Sequence, residues 1–305
     1  MMLQWLTMKV ESMGKNVVSQ RENNAQIGAL PVGDVLSEIL SALQTSPQVL
    51  LHAPTGAGKS TWLPLKILQH SGLPGRIIML EPRRLAAKNV AYRLAQQLGE
   101  QPGQTVGYRM RAESKSGPDT RLEVVTEGIL TRMLQQDAEL TGVSLVILDE
   151  FHERSLQADL ALALLLDVQQ GLRDDLKLLI MSATLDNQRL STLLPSAPVI
   201  VSAGRSFPVE RSYQPLSSHE RLEDGVANRV KRLLNEQSGS LLLFLPGVGE
   251  IHRVMERLQG DVATDTDLCP LYGALPLTEQ QKAIQPAPVG RRKVVLATNI
   301  AETSL

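Results

Sequence analysis

The sequence has little cysteine, few aromatic residues and no excess of charge of either sign. Its single cysteine among 305 residues, Cys269, excludes an intrachain disulfide and a zinc site made of several thiolates. That cysteine usage fits a reducing compartment, and we expect a cytoplasmic protein. Because only 3% of the residues are aromatic, a broad platform of rings for stacking nucleic-acid bases is not expected.

Long apolar segments are also missing from the sequence. The apolar run at 160–166 lies between two aspartates and is too short to span a bilayer. The N-terminal residues include Lys9 and Glu11 and have no continuous hydrophobic core of the kind that a secretory signal needs. We therefore expect no membrane partner, and we interpret residues 1–30 as a poorly ordered extension.

The near balance of positive and negative residues limits how this chain could bind nucleic acid. With a formal net charge of −1, binding would need a local basic groove and not a global positive field. Because aromatic residues are scarce, such a groove would contact phosphates and sugars in preference to reading bases.

Between residues 31 and 203, short apolar runs alternate with segments in which apolar residues have helical spacing. The predicted strands are 49–52, 76–80, 122–125, 145–148, 176–181 and 199–201, and the predicted helices include 85–98, 128–135 and 156–168. Strands that are apolar throughout are typical of a parallel sheet covered by helices on both faces. The sequence therefore predicts a doubly wound α/β fold.

A break in this alternation predicts a domain boundary. Gly204 and Pro208 interrupt the pattern, so we expect one domain at 31–203 and another at 204–305. In the second domain the predicted strands are 209–213, 241–245, 268–271 and 294–297, and the predicted helices are 221–235 and 249–258. The sequence ends before this second sheet is finished, and we expect the second domain to be incomplete.

The strongest chemical signal is a glycine-rich loop between a predicted strand and a predicted helix. Residues 49–61 read VLLHAPTGAGKST, and Lys59 and Ser60 are predicted to begin the helix. Gly56 and Gly58 let backbone N–H groups converge on a phosphate, and the helix N-terminus adds partial positive charge. The lysine can reach the outer phosphates of a nucleotide, and the serine hydroxyl can bind Mg²⁺.

This loop predicts a binding site for a nucleotide with its metal ion. The predicted phosphate-binding residues are Thr55, Gly56, Ala57, Gly58, Lys59, Ser60 and Thr61. Ala53 stands where the strict pattern has glycine, which is a small departure because the glycines nearest the phosphates remain. A chance glycine-rich turn is the alternative, and the strand–loop–helix context argues against it.

A second signal is an acidic pair at the end of a predicted strand. Residues 145–154 read LVILDEFHER, so the strand delivers Asp149 at its carboxyl end, where ligands bind in open α/β sheets. A carboxylate there can hold Mg²⁺ opposite Ser60, and Glu150 can orient or deprotonate an attacking water. The alternative is that both carboxylates only cap the next helix. From the residues alone, His152 has no assigned role, since a lone histidine in a helix cap is usually structural.

With these motifs the chain resembles the DEAH-box helicases of superfamily 2, which are ATP-dependent RNA helicases. Residues 149–152 read DEFH, with Phe151 where the family usually has alanine. Further motifs follow in the family's order: EPRRLAA at 81–87, VGYRMR at 106–111, TEGILTR at 126–132, SAT at 182–184, LLFLPG at 242–247 and ATNIAETS at 297–304. The flanks of the acidic motif are most similar to bacterial members of the family.

The resemblance implies a fold, cofactors and a partner. The fold would be two RecA-like parallel-sheet domains of the P-loop NTPase type, the second incomplete. The cofactors would be ATP and Mg²⁺. The partner would be single-stranded nucleic acid, with RNA favoured over DNA.

The resemblance also implies roles by position. The catalytic set would be Lys59, Asp149, Glu150 and His152, with Mg²⁺ held by Ser60 and Asp149. The histidine would couple hydrolysis to domain movement through Ser182, Ala183 and Thr184. The residues implied to contact nucleic acid are Arg83, Arg84, Thr126, Thr131 and Thr298. Arg93 would stack on the nucleotide base, although a solvated helix face explains it almost as well, and Ser304 lies in a motif that senses nucleotide.

At two places the sequence departs from the family. In relatives an aromatic residue of the second domain packs against the nucleotide base. The corresponding position in this sequence is Leu222. Relatives also continue beyond Ser304 into a motif whose arginines reach the γ-phosphate. Arginines of this kind increase the rate of nucleotide hydrolysis about 10³- to 10⁵-fold in related nucleotidases.

Two functions therefore stay open on sequence grounds. The first is an enzyme that couples Mg-nucleotide hydrolysis to movement along single-stranded nucleic acid. The second is a nucleotide- and RNA-binding module with little turnover, because the arginine motif is missing. A phosphate-loop ATPase that serves transport or signalling is disfavoured, because the motifs at 81–87, 126–132 and 182–184 have no function in such proteins.

Overall fold

The computed structural model describes residues 9–11, 30–184, 188–204, 209–217 and 219–302. These residues group into two compact units. The larger unit consists of residues 30–204, and the smaller combines strand β1 (Lys9–Glu11) with the residues from 209 onward. The predicted domain limits, 31–203 and 204–305, stay predictions, since residues 205–208 lie outside the described ranges.

An eight-stranded sheet forms the centre of the larger unit. Its strands are β2 (Gln48–His52), β3 (Arg76–Glu81), β4 (Val106–Met110), β5 (Glu113–Lys115), β6 (Leu122–Thr126), β7 (Val143–Leu148), β8 (Lys177–Ser182) and β9 (Val199–Val201). The order is β5-β4-β6-β3-β7-β8-β2-β9, and every neighbouring pair is parallel except the β4–β5 hairpin. The predicted α/β class with a parallel sheet is confirmed.

Two strands of this sheet were not among the predicted ones. Strand β4 contains Gly107 and Arg109, which interrupt its apolar pattern, and β5 is polar throughout. Glycine is required in β4 because a Cβ at residue 107 would lie 2.7 Å from the carbonyl oxygen of Lys115. The hairpin is therefore fixed by a close backbone approach and not by a run of apolar side chains.

Helices cover the sheet of the larger unit. They are α1 (Leu36–Thr45), α2 (Leu63–His70), α3 (Arg84–Gln97), α4 (Glu127–Gln136), α5 (Leu156–Gly171) and α6 (Gln188–Leu193). Strand β7 is buried along its whole length, as expected for a central strand with both faces covered. Helix α5 starts where the Ser155 side chain accepts a hydrogen bond from Ala158 N at 2.9 Å.

The smaller unit contains a four-stranded sheet in the order β1-β10-β12-β11. Its other elements are α7 (Leu222–Glu236), β10 (Ser240–Phe244), α8 (Val248–Leu258), β11 (Thr266–Leu271), α9 (Leu277–Ile284) and β12 (Arg292–Ala297). The last three strands are mutually parallel, and β1 pairs antiparallel with β10. This second parallel sheet agrees with the predicted fold class.

The smaller unit differs from the sequence prediction at two places. Residues 9–11 form a strand where disorder was expected, because the outer edge of β10 offers unpaired backbone groups to a second strand. The rest of the predicted extension, apart from Leu30, lies outside the described residues. The strand predicted at 209–213 is not formed, and Val209 and Tyr213 are exposed, so that segment buries no face.

None of the helices in the described ranges combines the length and the apolar composition that crossing a bilayer requires.

A half-buried arginine, Arg292, binds the backbone at one end of helix α7. The Arg292 guanidinium donates to the carbonyl oxygens of Leu234 at 2.7 Å, Gln237 at 2.6 Å and Gly239 at 2.7 Å. These carbonyls belong to the C-terminal end of α7 and the residues that follow it. A positive charge there satisfies acceptors that the helix leaves unpaired and opposes the negative end of its dipole.

We expect Arg292→Met to lower the free energy of unfolding of the smaller unit by about 2 kcal/mol, because several carbonyls lose a charged donor. Chemical denaturation followed by circular dichroism measures this. The matched control is Arg291→Met, because Arg291 makes only an exposed ion pair with Asp267 and should matter little. Equal effects of the two substitutions would show that Arg292 does not brace the helix end.

Candidate nucleotide-binding site

The glycine-rich loop follows β2 and passes across the carboxyl edge of the larger sheet. Gly56 and Gly58 have φ angles of +80° and +94°, the left-handed region that favours glycine. A Cβ on Gly58 would also lie 2.9 Å from Leu30 Cδ1. Ala53 is buried, lies outside the left-handed region, and donates its N–H to the Ser182 carbonyl at 3.0 Å, so alanine fits there.

The helix after this loop begins later than predicted. Residues 59–62 form turns, and α2 starts at Leu63, so the prediction that Lys59 and Ser60 begin the helix is wrong. Pro64 explains the shift, because it has no N–H to donate to the Ser60 carbonyl and is tolerated only in the first helical turn. The Thr61 carbonyl instead accepts a hydrogen bond from the Gln97 side chain at 2.6 Å, which ties the loop to α3.

The acidic motif lies beside the glycine-rich loop. Asp149 follows the last residue of β7, and its N–H donates to the Leu80 carbonyl at 3.1 Å. Glu150 has a left-handed backbone, with φ +48°, and its N–H donates to Asp149 Oδ1 at 2.8 Å. Lys59 Nζ donates to Glu150 Oε1 at 2.6 Å, with both side chains largely buried. The fold therefore joins the two motifs through one ion pair.

Asp149 has the properties of a cation ligand. Burial raises the pKa of its carboxyl, the negative charge of Glu150 raises it further, and Lys59 opposes the rise. Asp149 Oδ2 is buried and has no hydrogen-bond partner among the described residues, and the neighbouring Ser60 side chain lowers the pKa of the Asp149 carboxyl. A hydroxyl and a carboxylate oxygen are ligands that suit Mg²⁺, so these residues fit that ion.

The His152 side chain links the acidic motif to the segment after β8. Its Nδ1 accepts a hydrogen bond from Ala183 N at 3.3 Å and lies 3.4 Å from Glu150 Oε2. Within that segment, Ser182 Oγ donates to the Thr184 carbonyl at 3.1 Å. The structure therefore brings together the acidic motif and the triplet at 182–184. The coupling role of these residues stays a prediction.

Phe151 follows the acidic pair and is part of the hydrophobic core. It is only 2% exposed and packs with residues of β7, α5 and β8. The Arg154 guanidinium carbon lies 5.5 Å from the centre of its ring. The larger side chain at this family position therefore anchors the short turn at 151–153 to the core of the larger unit.

The residues predicted to contact nucleic acid in the larger unit lie near the carboxyl ends of two neighbouring strands. Arg83 and Arg84 follow β3, and Thr126 ends β6, its partner in the sheet. Arg84 is exposed at the first residue of α3, and Arg83 Nη2 lies 3.3 Å from Glu153 Oε2. Thr131 lies on α4, where its hydroxyl donates to the Glu127 carbonyl at 3.1 Å.

The other predicted site residues lie on α3 and in the smaller unit. Arg93 is exposed on α3, where its guanidinium donates to Gln96 Oε1 at 3.3 Å. In the smaller unit, Thr298 follows β12 and its N–H donates to the Leu271 carbonyl at 3.1 Å. Leu222 packs against the core of that unit. Ser304 lies outside the described residues.

One buried group of the site had no role in the sequence interpretation. Glu81 ends β3, is 2% exposed, and lies against the Asp149 carboxyl. Burial raises its pKa well above the usual value, and the neighbouring Asp149 charge adds to the effect. The signal was a carboxylate at the end of an all-apolar strand, the same pattern that identified Asp149.

Comparison with known proteins gives consistent matches to helicases. The DEAD/DEAH box helicase family matches residues 34–193. The chain is 71% identical over 279 residues to the ATP-dependent RNA helicase HrpB of Escherichia coli (strain K12), covering 92% of this chain and 34% of that protein. It is 35% identical to the probable ATP-dependent RNA helicase DHR2 of Saccharomyces cerevisiae, covering 97% of this chain and 41% of that protein.

A solved structure agrees with these sequence matches. The crystal structure of the Escherichia coli DEAH/RHA helicase HrpB superposes with a TM-score of 0.85 at 72% sequence identity. The match covers 90% of this chain and 35% of that one. The chain thus spans about a third of the length of the relative to which it is similar.

We expect Phe151→Ala to destabilise the larger unit by about 3 to 5 kcal/mol, because it leaves a cavity in a packed core. Thermal and denaturant unfolding measure this loss. Phe151→Leu, which keeps most of the buried volume, should cost less. If alanine, the usual residue of the family at this position, were tolerated without loss of stability, Phe151 would not anchor the turn.

Proposed function

The chain belongs to the DEAD/DEAH box helicase family, and we propose that its site binds ATP with Mg²⁺ and couples hydrolysis to movement along single-stranded RNA. The observation that carries this proposal is the chain of contacts from Lys59 through Glu150 to His152 and Ala183. These contacts connect the phosphate-binding loop to a segment that has no part in phosphate binding. Such a connection serves an enzyme that transmits the state of its nucleotide.

The residues around the loop have distinct proposed tasks. Backbone N–H groups of 55–61 bind the phosphates, and Lys59 balances their negative charge. Ser60 and Asp149 hold Mg²⁺, which when bound neutralises charge on the phosphate oxygens. Glu150, beside Lys59, orients the attacking water and accepts its proton. Arg93 lies on the helix that Gln97 ties to the loop, which supports its proposed contact with the base.

The proposed nucleic-acid surface lies at the ends of β3 and β6. Arg84 is exposed and Arg83 is half-buried, so both can reach phosphates, and the Thr126 hydroxyl can donate to them. Thr131 can donate only when its hydroxyl leaves the Glu127 carbonyl. Thr298 supplies a contact from the smaller unit. The names of the relatives, which are ATP-dependent RNA helicases, support RNA as the substrate class. The cytoplasmic location expected from the sequence stays a prediction.

A binding module with little turnover, the second interpretation of the sequence, is not favoured. The relatives named above are described as ATP-dependent RNA helicases, and Lys59, Ser60, Asp149 and Glu150 are all present in this chain. The chain spans about a third of the length of HrpB. Helicase activity, which belongs to the whole of that relative, is therefore proposed for this chain.

We expect ATP hydrolysis by this chain to rise when single-stranded RNA is added. Lys59→Ala should lower turnover by at least about 100-fold, because the charge that stabilises the transferring phosphate is lost. Phosphate release measures both effects. The matched control is Lys66→Ala, since Lys66 bonds Gln69 on the next helix and not Glu150. Nucleotide binding with turnover at background in both conditions would favour the binding module.

We expect Arg84→Ala to weaken RNA binding and to reduce the slope of log affinity against log salt by about 1, because one phosphate contact is lost. Fluorescence anisotropy with labelled RNA at several salt concentrations measures this. Arg121→Ala is the control, because Arg121 precedes β6 at the opposite edge of the sheet. An unchanged slope for Arg84→Ala would remove this residue from the RNA surface.

A further inference from the structure

Helix α3 carries a proposed RNA contact at one end and contacts the phosphate-binding loop at the other. Its first residue is Arg84, which is exposed, and its last residue is Gln97. The Gln97 side chain donates from Nε2 to the Thr61 carbonyl of the loop at 2.6 Å and to the Arg93 carbonyl at 3.2 Å. The two ends are about 20 Å apart, because 14 residues each rise about 1.5 Å along the axis.

The partners of the Gln97 amide fix its orientation. Both partners are backbone carbonyls, and a carbonyl oxygen only accepts hydrogen bonds, so the NH₂ group of the amide faces them. One carbonyl belongs to the same helix, and the other belongs to the residue after Ser60 in the loop. The contact between helix and loop therefore depends on the amide donor, which a methionine of the same length lacks.

The body of α3 is packed firmly on the sheet of the larger unit. Leu85, Val90, Ala91 and Leu94 are buried, and the helix packs against β3, β4 and β6. The sequence of the helix contains neither glycine nor proline, so nothing in it favours a bend. Packed helices of this kind slide on their neighbours as units. A shift of the first turn of α3 therefore reaches its last turn.

A second glutamine near the end of a helix shows the contrast. Gln169 of α5 donates from Nε2 to the carbonyls of Pro47 at 3.1 Å and Leu176 at 2.7 Å. These residues precede β2 and β8, so they lie at the edge of the sheet opposite the phosphate-binding loop. Gln169 makes the same kind of bond as Gln97 but has no contact with the site.

We propose that α3 transmits RNA binding to the nucleotide site, with Gln97 as the positioning residue that holds the phosphate-binding loop through Thr61. The inference rests on the proposed function, which supplies Arg84 as an RNA contact. An RNA phosphate at Arg84 shifts the first turn of the helix, and the hydrogen bond at the last turn passes that shift to the loop. RNA and nucleotide then raise each other's affinity by the same factor, as thermodynamic linkage requires.

The test measures this coupling factor in the whole chain. Binding of a fluorescent, non-hydrolysable ATP analogue (mant-AMP-PNP) with Mg²⁺ is titrated without RNA and with saturating single-stranded RNA. The ratio of the two dissociation constants is the coupling factor, which we expect to be at least about 5 in the original chain. Gln97→Met keeps the side-chain length and the helix propensity, and it should lower the factor at least about 3-fold, because one hydrogen bond is lost.

Two further variants separate transmission from packing. Gln169→Met makes the same chemical change away from the site, and it should lower the stability of the chain and leave the coupling factor unchanged. Unfolding of Gln97→Met without ligands should stay close to that of the original chain, since Gln97 is half-buried. Arg84→Ala should lower the coupling factor at saturating RNA, and adding Gln97→Met should lower it no further, because both residues act on one route.

The inference is overturned by an unchanged coupling factor in Gln97→Met, whether or not nucleotide affinity falls, and the proposed function then stands. Additive effects of Arg84→Ala and Gln97→Met would also overturn it, because they would show two independent routes. An original chain that binds nucleotide with an affinity indifferent to RNA would remove the transmission and keep the nucleotide site. An original chain that binds no nucleotide would overturn the proposed function as well.

Discussion

The ion pair between Lys59 and Glu150 depends on the parallel sheet and in turn organises the site. The two residues are distant in the sequence, and they meet because β2 and β7 run in the same direction with β8 between them. All carboxyl ends of such strands lie at one edge, so the loop after one strand faces the acidic residues after another. The pair keeps a buried lysine and a largely buried glutamate balanced. His152 and Ala183 extend the contact to the segment after β8.

The turn that carries the acidic motif has a strained backbone, and its buried side chain Phe151 anchors it to the core of the larger unit. Glu150 and Arg154 both have left-handed backbones, which cost non-glycine residues on the order of 1 to 3 kcal/mol each. The burial of Phe151 and the bond from Glu150 N to Asp149 Oδ1 hold this turn in place. In this conformation the Glu150 carboxylate contacts Lys59, and the His152 imidazole contacts Ala183.

Buried carboxyls also distinguish the structural and functional parts of the sheet. Glu123 is paired with Arg109 and contributes to the β4–β6 edge, whereas Glu81 and Asp149 face each other near the phosphate-binding loop. Two neighbouring carboxyls with raised pKa values are unfavourable unless a cation or a shared proton compensates them. These two carboxyls lie at the edge of the sheet where we propose that nucleotide and metal bind.

The sequence by itself determined the parallel α/β fold, the glycine-rich loop and the position of Asp149, because apolar strands, glycines and a carboxylate at a strand end are local patterns. Tertiary structure decided the rest. Helix α2 starts at Leu63 because of Pro64, and the Gln97 side chain of α3 donates a hydrogen bond to the Thr61 carbonyl. Residues 9–11 pair with the edge of β10, while residues 209–213 do not form the predicted strand. The environment of Glu81 depends on which strands become neighbours, and a linear sequence does not state which polar groups will share a buried edge.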